Sequence, residues 1–337
     1  MRRPYNLLLG SVLLLLAACA QPAPAGSPGP SGPADAVQTT PAALYVGAWG
    51  CGSGSNYGQC TVPALPAGVS YTAVSAGDYH SLALRSDGSV AAWGCGSAFD
   101  LGQCNVPDLP AGVSYTAVES GTYHSLALRS DGSVAAWGCG SVFDLGQCNV
   151  PDLPAGVSYT AVSAGTYHSL ALRSDGSVVA WGCRFQFGQC SVPDLPAGVS
   201  YTAVSAGTYH SLALRSNGQV AAWGCGSGLD YGQCSVPALP AGVSYTAVSA
   251  GTYHSLALRS DGSVAAWGCG SGNDVGQCTV PALPAGVSYT AVSGGWFHSL
   301  ALAPDTGPPV TSIVPSPATP NGSGGWYTTT VILQVSA

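Results

Sequence analysis

Short stretches in which hydrophobic and β-branched residues alternate with small or polar ones recur along most of the chain. In the first complete unit they cover residues 71–76, 80–85 and 89–93, and each has the length and alternation of a β-strand. An Asp-Gly pair at Asp87 separates the second stretch from the third, and Asp-Gly between apolar runs predicts a tight hairpin turn. Because no helical periodicity occurs in the unit, the pattern predicts small antiparallel sheets.

The unit is repeated six times at a nearly constant spacing. The tryptophans of an Ala-Trp-Gly motif are 44, 44, 44, 42 and 44 residues apart. They are Trp49, Trp93, Trp137, Trp181, Trp223 and Trp267. A His-Ser-Leu-Ala-Leu motif recurs equally often, led by His80, His124, His168, His210, His254 and His298. A fixed period in this range is typical of propellers, solenoids and arrays.

The two ends of the repeated region favour a closed ring. The first Ala-Trp-Gly stretch, Leu44–Trp49, has no preceding His-Ser-Leu-Ala-Leu strand, and the last pair of stretches, 290–293 and 298–302, has no following Ala-Trp-Gly strand. Docking the first stretch onto the last pair completes six units and pairs edges that would otherwise be exposed. We therefore predict an all-β fold, a six-bladed β-propeller closed by pairing the N-terminal strand with the last blade.

The N-terminus predicts export. Arg2 and Arg3 precede an apolar run that ends at Leu16, which is short for a membrane-spanning helix and is followed by small residues, as in a secretory signal. Leu-Ala-Ala before Cys19 resembles the lipobox of bacterial lipoproteins, which implies cleavage before Cys19 and lipid on its sulfur. The alternative is an ordinary signal peptide with an incidental cysteine. Two acyl chains would make the anchor stable.

The chain is predicted to have five parts. Residues 1–18 form the lipoprotein signal peptide, 19–42 a tether rich in Pro, Ala, Gly and Ser, and 43–304 the propeller. Residues 305–324 form a linker, and 325–337 form a single strand that resembles the start of an immunoglobulin-like module. One strand cannot bury a core, so it either docks on the ring or belongs to a truncated module. Truncation is the favoured interpretation.

Cysteine usage agrees with export. Of 13 cysteines, Cys19 belongs to the lipobox and the other twelve occur two per unit. An even set at regular spacing in an exported chain predicts disulfides, whereas zinc usually requires ligands two to four residues apart. The sequence leaves the connectivity open, but local pairing within each loop is expected. The expected pairs are Cys51–Cys60, Cys95–Cys104, Cys139–Cys148, Cys183–Cys190, Cys225–Cys234 and Cys269–Cys278.

The charge balance restricts the class of partner. The chain contains no lysine, and without Arg2 and Arg3 its six basic and fifteen acidic residues give a net charge of −9. A nucleic-acid backbone requires a basic patch, so nucleic acid is excluded as a partner. We expect a monomer that binds a protein and that contacts a membrane through the lipid on Cys19.

Residues able to carry chemistry follow the repeat. Each histidine begins a core strand, which favours a structural role in which the neutral imidazole bonds to backbone; a metal ring and shared catalysis are the alternatives. The aspartates of the hairpin turns and cysteine loops favour turn formation. No nucleophile elbow, phosphate loop or metalloprotease motif occurs in the sequence. We therefore predict no enzymatic activity, no cofactor and no metal site.

The unit has a distinctive consensus, Ala-Gly-Thr-Tyr-His-Ser-Leu-Ala-Leu-Arg-Ser-Asp-Gly-Ser-Val-Ala-Ala-Trp-Gly, followed by Gly-Gln and Val-Pro. From about Leu44 to Leu302 it resembles the regulator-of-chromosome-condensation repeat in its short bacterial form. The resemblance implies a propeller, although the best-known members have seven blades and lack these cysteines. It offers two activities, guanine-nucleotide exchange and inhibition of serine β-lactamases. The second fits an exported acidic chain, but no motif specifies that target.

The units differ mainly in their cysteine loops. The residue before Gly-Gln-Cys is apolar in every copy, which predicts packing beneath the loop. Two residues earlier the copies diverge, and four consecutive units carry a large apolar residue: Phe99, Phe143, Phe185 and Leu229. Exposed aromatic residues on a rigid scaffold are typical of protein-binding surfaces, so we predict an apolar arc, with Arg184 and Trp296 as further contact candidates. The alternative is that these side chains fold inward over the blade tips.

Together these features predict a lipid-anchored, extracytoplasmic propeller of the bacterial cell envelope. It is expected to bind a protein through its cysteine loops, which lie on the rim and are closed by disulfides. The alternative is a structural envelope scaffold without a single specific ligand. An inhibitor of β-lactamases, a guanine-nucleotide exchange factor and a hydrolase are less favoured.

Overall fold

Eighteen β-strands form the secondary structure in the computed structural model, which contains no helix within the residues it describes. Those residues are 46, 48, 57–96, 100–140, 144–183, 187–226, 230–270, 274–304 and 331–333. The predicted signal peptide, tether and linker lie outside them.

Each of six sheets contains three strands in chain order. The first strands are β1 (Tyr71–Ala76), β4 (Tyr115–Ser120), β7 (Tyr159–Ala164), β10 (Tyr201–Ala206), β13 (Tyr245–Ala250) and β16 (Ala291–Gly294). The second strands are β2 (Ser81–Arg85), β5 (Ser125–Arg129), β8 (Ser169–Arg173), β11 (Ser211–Arg215), β14 (Ser255–Arg259) and β17 (Ser299–Leu302). The third strands are β3 (Val90–Trp93), β6 (Val134–Trp137), β9 (Val178–Trp181), β12 (Val220–Trp223), β15 (Val264–Trp267) and β18 (Val331–Leu333).

The predicted Asp-Gly turn joins the second and third strands. In sheet 1, Asp87 accepts hydrogen bonds on Oδ1 from the backbone N–H of Ser89 at 2.9 Å and from its hydroxyl at 2.7 Å. Gly88 has a φ of 77°, a left-handed conformation that glycine adopts without a Cβ penalty. The strands therefore pair antiparallel, with Leu84 opposite Val90.

The hydrophobic core lies between successive sheets. Leu82 and Ala83 in β2 are fully buried, because the second strand of each sheet is covered on both faces. The large leucine and small alanine alternate along the strand, which lets neighbouring sheets interlock. One such cluster joins Leu82 and Val90 of sheet 1 to Tyr115 and Trp137 of sheet 2.

The sheets are arranged as blades. The first strand of each sheet contacts the first strand of the next, and the second strand of each contacts the first strand of the next. Each first strand therefore lies against both the first and the second strand of the preceding sheet, an arrangement that fits blades around a propeller axis. The predicted all-β, six-sheet propeller class is confirmed.

The predicted closing strand is not observed in the described part of the chain. The outer edge of β17 is taken by β18, which pairs in parallel with Leu300 opposite Val331. This is the docking alternative for the C-terminal strand. An exposed edge offers unpaired backbone groups that any extended segment can satisfy, and here the C-terminal segment does so.

The N-terminal stretch nevertheless keeps one contact expected of an outer strand. Val46 packs against the cluster of Tyr71 and Trp93, as Val90 of the first unit packs against Tyr115 and Trp137. The bond that would link the sixth sheet to the first, from His298 to Ser81, is not formed between these two described residues.

Candidate functional site

The sheets present two opposite faces. In sheet 1, the pair Ala76–Ser81 lies at one end of β1 and β2, and Tyr71–Arg85 lies at the other. We call the first end, with the turns before each histidine and the cysteine loops, the loop face. The second end, with the Asp-Gly turns, is the hairpin face. Strands of this length hold the two faces about 15 Å apart.

Disulfides close five described cysteine loops, each between the two cysteines of one loop. Their Cα–Cα distances are 5.9–6.2 Å, within the range of ordinary disulfides. The bonds are Cys95–Cys104, Cys139–Cys148, Cys183–Cys190, Cys225–Cys234 and Cys269–Cys278. For the first loop, Cys51 lies outside the described residues.

A buried glutamine anchors each loop to the sheet that follows it. Gln147 is fully buried, and its Oε1 accepts a hydrogen bond from the backbone N–H of Leu145 at 2.6 Å. Its backbone carbonyl accepts two more, from Trp181 Nε1 at 2.8 Å and from Ser169 Oγ at 3.0 Å. The loop base is thus fixed both by its disulfide and by the next sheet.

The repeated histidines bridge neighbouring sheets. His124 is fully buried, and its Nε2 lies 2.9 Å from Ser169 Oγ in the next sheet. Because the Ser169 hydroxyl donates to the Gln147 carbonyl, its oxygen accepts from Nε2–H, which fixes the tautomer. Burial lowers the pKa of His124 to about 3, so the imidazole is neutral.

This arrangement corrects the expected partner of the histidines, which is a serine hydroxyl rather than the backbone. The same bond recurs at His80, His168, His210 and His254. Nδ1 makes no hydrogen bond in these residues, as it faces the glycine three positions earlier. The ring is therefore a link between sheets.

The aspartates of the cysteine loops shape their turns. Asp100 and Asp144 each accept a hydrogen bond on Oδ1 from the glycine two residues later, at 2.9 and 2.8 Å. Asp230 and Asp274 make the same bond at 2.8 Å. All four side chains belong to exposed residues. Turn formation, as the sequence predicts, is their role in the fold.

An aromatic row crosses the loop face. Successive sheets contribute one ring each, with centroids 5.8–6.2 Å apart. The rings are Tyr79, Tyr123, Tyr167, Tyr209, Tyr253 and Phe297. Burial raises the pKa of Tyr123 and Tyr209 to about 12, so these phenols stay protonated at neutral pH.

In three loops the residue before Gly-Gln-Cys supports this row from the loop side. Tyr57, Phe187 and Tyr231 make edge contacts with the ring of the following sheet, at centroid distances of 5.6, 5.8 and 5.3 Å. Edge-to-face geometry at these distances is favourable for aromatic pairs. These contacts agree with the predicted packing beneath the loop. In the last loop the prediction is wrong, since Val275 at the same position is 41 % exposed.

A row of hydroxyls runs beside the aromatic rings. Thr122 and Thr166 lie 2.9 Å apart at their Oγ1 atoms, and Thr122 donates to Oδ2 of Asp78 at 2.9 Å. In the sixth unit Trp296 replaces the threonine. Its ring stacks on Phe297 at 5.6 Å with an interplanar angle of 14°. The row is therefore acidic at one end and apolar at the other.

Exposed apolar residues occur at the Trp296 end of this row and in the last cysteine loop. Trp296 is 51 % exposed, Val275 41 % and Phe297 37 %, and these are the exposed large hydrophobic residues of the described chain. Of the six predicted contact residues, Trp296 lies here. The others, Phe99, Phe143, Phe185, Leu229 and Arg184, lie outside the described residues, as does Cys19.

The aromatic row was missed by the sequence reasoning. A tyrosine precedes five of the histidines and Phe297 precedes the sixth, but the alternation within one unit does not show that these rings lie side by side. The signal that could have predicted the row is that each unit carries one aromatic residue at the same position, because equivalent positions of successive blades lie side by side.

Neither a metal-binding cluster of His, Cys, Asp or Glu nor a helix long and apolar enough to cross a membrane occurs within the described ranges. No curated protein matches the sequence significantly.

Several solved structures have a similar fold. Prp20p from Saccharomyces cerevisiae is 24% identical, with a TM-score of 0.54 over 68% of this chain and 67% of that one. The structure of Kap60 bound to yeast RCC1 (Prp20) contains a chain that is 20% identical in sequence, with a TM-score of 0.58 over 80% of this chain and 75% of that one. Human WBSCR16 is 20% identical in sequence, with a TM-score of 0.51 over 68% of this chain and 70% of that one. At these identities the likeness shows the fold.

The sequence profile of the regulator of chromosome condensation (RCC1) repeat matches five consecutive units. The matched residues are 71–99, 115–143, 159–189, 201–233 and 245–277. They cover sheets 1 to 5 and extend into the cysteine loops that follow them. The chain therefore belongs to the family of RCC1-repeat proteins.

Proposed function

We propose that the chain is an extracytoplasmic protein-binding propeller, anchored by lipid on Cys19, that contacts its partner through the disulfide-closed loops of the loop face. The RCC1-repeat fold and the disulfides are established features of the chain. The anchor, the partner and the contact residues are the proposal.

The observation that carries the proposal is the fixed base of every described cysteine loop. In the loop of Cys139 and Cys148, the disulfide and the Gln147 bonds to Trp181 and Ser169 tie the base to the next sheet. The sequence between the fixed parts differs from copy to copy. A rigid base with variable residues lowers the entropy lost on binding.

Proteins of the same fold support the choice of a protein partner. The structure of Prp20p is described together with binding to Gsp1p and histones, and yeast RCC1 is bound by Kap60. These are partners of those proteins. For this chain they support a protein as the class of partner, and the identity of that partner is a separate question.

The histidines support a binding role over catalysis. A general base needs a pKa near the working pH and a solvent-accessible nitrogen. His168 has neither, since it is fully buried and its pKa is lowered to about 3.

A pull-down from native envelope and secreted proteins tests the proposal. The bait is the oxidised chain, compared with a variant carrying Phe99→Ser, Phe143→Ser, Phe185→Ser and Leu229→Ser. We expect a partner that saturates the unchanged bait and is lost from the variant, while both melt at the same temperature. If both baits capture the same proteins, or none, the proposed arc is wrong and a structural envelope scaffold replaces it.

A further inference from the structure

Charge is distributed unequally between the two faces. All five arginines in the described ranges end the second strands and so lie at the hairpin face. They are Arg85, Arg129, Arg173, Arg215 and Arg259. The described part of the loop face holds no lysine or arginine, and its histidines are neutral. Arg184, in the fourth cysteine loop, lies outside the described residues.

Acids occur on both faces, and within the described ranges an arginine lies beside the four aspartates of the Asp-Gly turns on the hairpin face. Hydrogen bonds from Ser89 lower the pKa of the Asp87 carboxyl, and the nearby Arg85 charge lowers it further. The same order of causes holds at Asp131, Asp175 and Asp261. The negative charge of these four turn carboxylates is therefore compensated by arginine. Asp108, Asp152 and Asp194 add further negative charge near the arginines of this face.

The loop-face carboxylates are oriented with one oxygen available. Oδ1 of Asp100, Asp144, Asp230 and Asp274 accepts the N–H of its own turn. No hydrogen bond joins Oδ2 of these four aspartates to another residue within the described ranges. These four carboxylates, with Asp78 at the start of the threonine row, give the loop face a negative potential that attracts cations.

The exposed apolar residues lie on this same face. Trp296 and Phe297 belong to the turn before His298, and Val275 directly follows Asp274 in the last cysteine loop. One face of the Trp296 ring stacks on Phe297, and the residue is half exposed. An open indole face accepts a guanidinium or an apolar side chain. Independent features, charge and exposed apolar area, thus meet at the sixth sheet.

We propose that the loop face at the sixth sheet binds a basic segment of a protein, in which an arginine or lysine adjoins an apolar side chain. The apolar side chain packs on Trp296, Phe297 and Val275, and the cation faces the loop carboxylates, beginning with Asp274. Acidic peptides, nucleic acids and anionic lipid headgroups are repelled by this face. This inference rests on the proposed function, because it names the chemistry of the partner.

A defined peptide probe tests the inference on the full-length oxidised protein. The probe is a short fluorescent peptide of alternating arginine and leucine, and binding is followed by fluorescence polarisation. Comparison peptides replace every arginine by glutamate, or every leucine by glycine. We expect saturable binding of the arginine–leucine probe, weakened by salt as screening shortens the reach of the carboxylates, and weaker binding of both comparison peptides.

Two matched variants separate the loop face from net charge. One carries Asp100→Asn, Asp144→Asn, Asp230→Asn and Asp274→Asn, which keeps an acceptor for each turn. The other removes as many charges from the hairpin face through Asp87→Asn, Asp131→Asn, Asp175→Asn and Asp261→Asn. Asn217 already occupies that turn position and accepts the same backbone bond from Gln219. We expect about a tenfold loss of affinity in the first variant and less than about twofold in the second.

A third variant tests the apolar contact. Trp296→Thr with Phe297→Tyr installs the residues that the preceding unit carries at Thr252 and Tyr253, so the fold is preserved. We expect about a tenfold loss of affinity, as for a buried aromatic contact. Equal losses in the two charge variants, no effect of the third variant, or no binding up to about 1 mM would each overturn the inference. If the native partner of the pull-down binds the loop-face charge variant normally, the proposed function stands and this inference fails.

Discussion

At the scale of single residues, the imidazoles between the sheets couple stability to pH. In the folded chain, burial lowers the pKa of His80 and His254 to about 4 and that of His124, His168 and His210 to about 3. In the unfolded chain a histidine has its ordinary pKa of about 6.5. Between these values the unfolded chain binds protons that the folded chain does not.

Stability is therefore expected to fall as the pH drops from about 6.5 towards 4, by about 1.4 kcal/mol per pH unit for each such histidine. Urea denaturation at a series of pH values measures this slope. His168→Gln places an amide nitrogen near the position of Nε2. This variant should reduce the slope by the contribution of one histidine, about 1.4 kcal/mol per pH unit. A free energy of unfolding that is equal at pH 7.5 and pH 5 contradicts the burial of neutral imidazoles.

Two glycines give a matched test of backbone packing. Gly138 has a φ of 85°, and an added Cβ would lie 2.8 Å from the Cα of Gln103. Gly156 has a φ of 77°, and nothing lies within 4 Å of the corresponding position. Gly156→Ala should cost about 1–2 kcal/mol for the left-handed backbone alone. Gly138→Ala should cost clearly more, because the loop base must also move. Equal denaturation midpoints for the two variants contradict this anchoring.

At the scale of elements, the sequence predicted what depends on local pattern. The strands at 71–76, 80–85 and 89–93 agree with β1, β2 and β3 to within one residue, because alternation and the Asp87 turn set the ends of each strand locally. Packing beneath three of the cysteine loops was also predictable, since an apolar residue recurs there. The exposure of Val275 in the last loop was not, because the same apolar pattern occurs in that copy.

Contacts between units were less predictable. The bond from His124 to Ser169 and the aromatic row depend on how sheets lie side by side, which no single unit encodes. The pairing of β18 with β17 joins residues far apart in sequence, and several segments can compete for one open edge. For the candidate site, Trp296 was identified because it breaks the repeat. The excess of acids on the loop face could not be predicted from the sequence, because it depends on the strands placing the arginines at the hairpin face.

Removing residues 305–337 tests which segment covers the edge of β17. Hydrogen exchange of the backbone amides in Leu300–Leu302 should become faster, because β18 no longer covers that edge. Removal of residues 1–50 serves as the comparison and should leave these amides protected. The opposite result would restore the N-terminal strand, Leu44–Trp49, as the closing element.

At the scale of the whole molecule, the chain is a series of nearly identical interfaces. The same bond from a histidine to a serine recurs at five successive contacts between sheets. Repeat proteins of this kind derive their stability from such nearest-neighbour contacts.

The position of the molecule in the cell follows from the proposed anchor. Cys19→Ser removes the only sulfur that the lipobox offers for acylation, so the protein should move from the membrane fraction to the soluble fraction. Ala20→Ser, one residue later, is the control and should remain membrane-bound. Mass spectrometry of the N-terminal peptide reports the lipid directly. Equal fractionation of the two variants contradicts lipid anchoring.

The recurring interface also bears on how such a chain changes over evolutionary time. Deleting or duplicating one internal unit of about 44 residues rejoins surfaces that already fit, so recombination between neighbouring copies can alter the copy number without removing a type of contact. The end units are not interchangeable in this way, since Asp78 begins the threonine row and Trp296 ends it. Natural variants with fewer or more blades are therefore expected to differ in their middle units and to keep both ends.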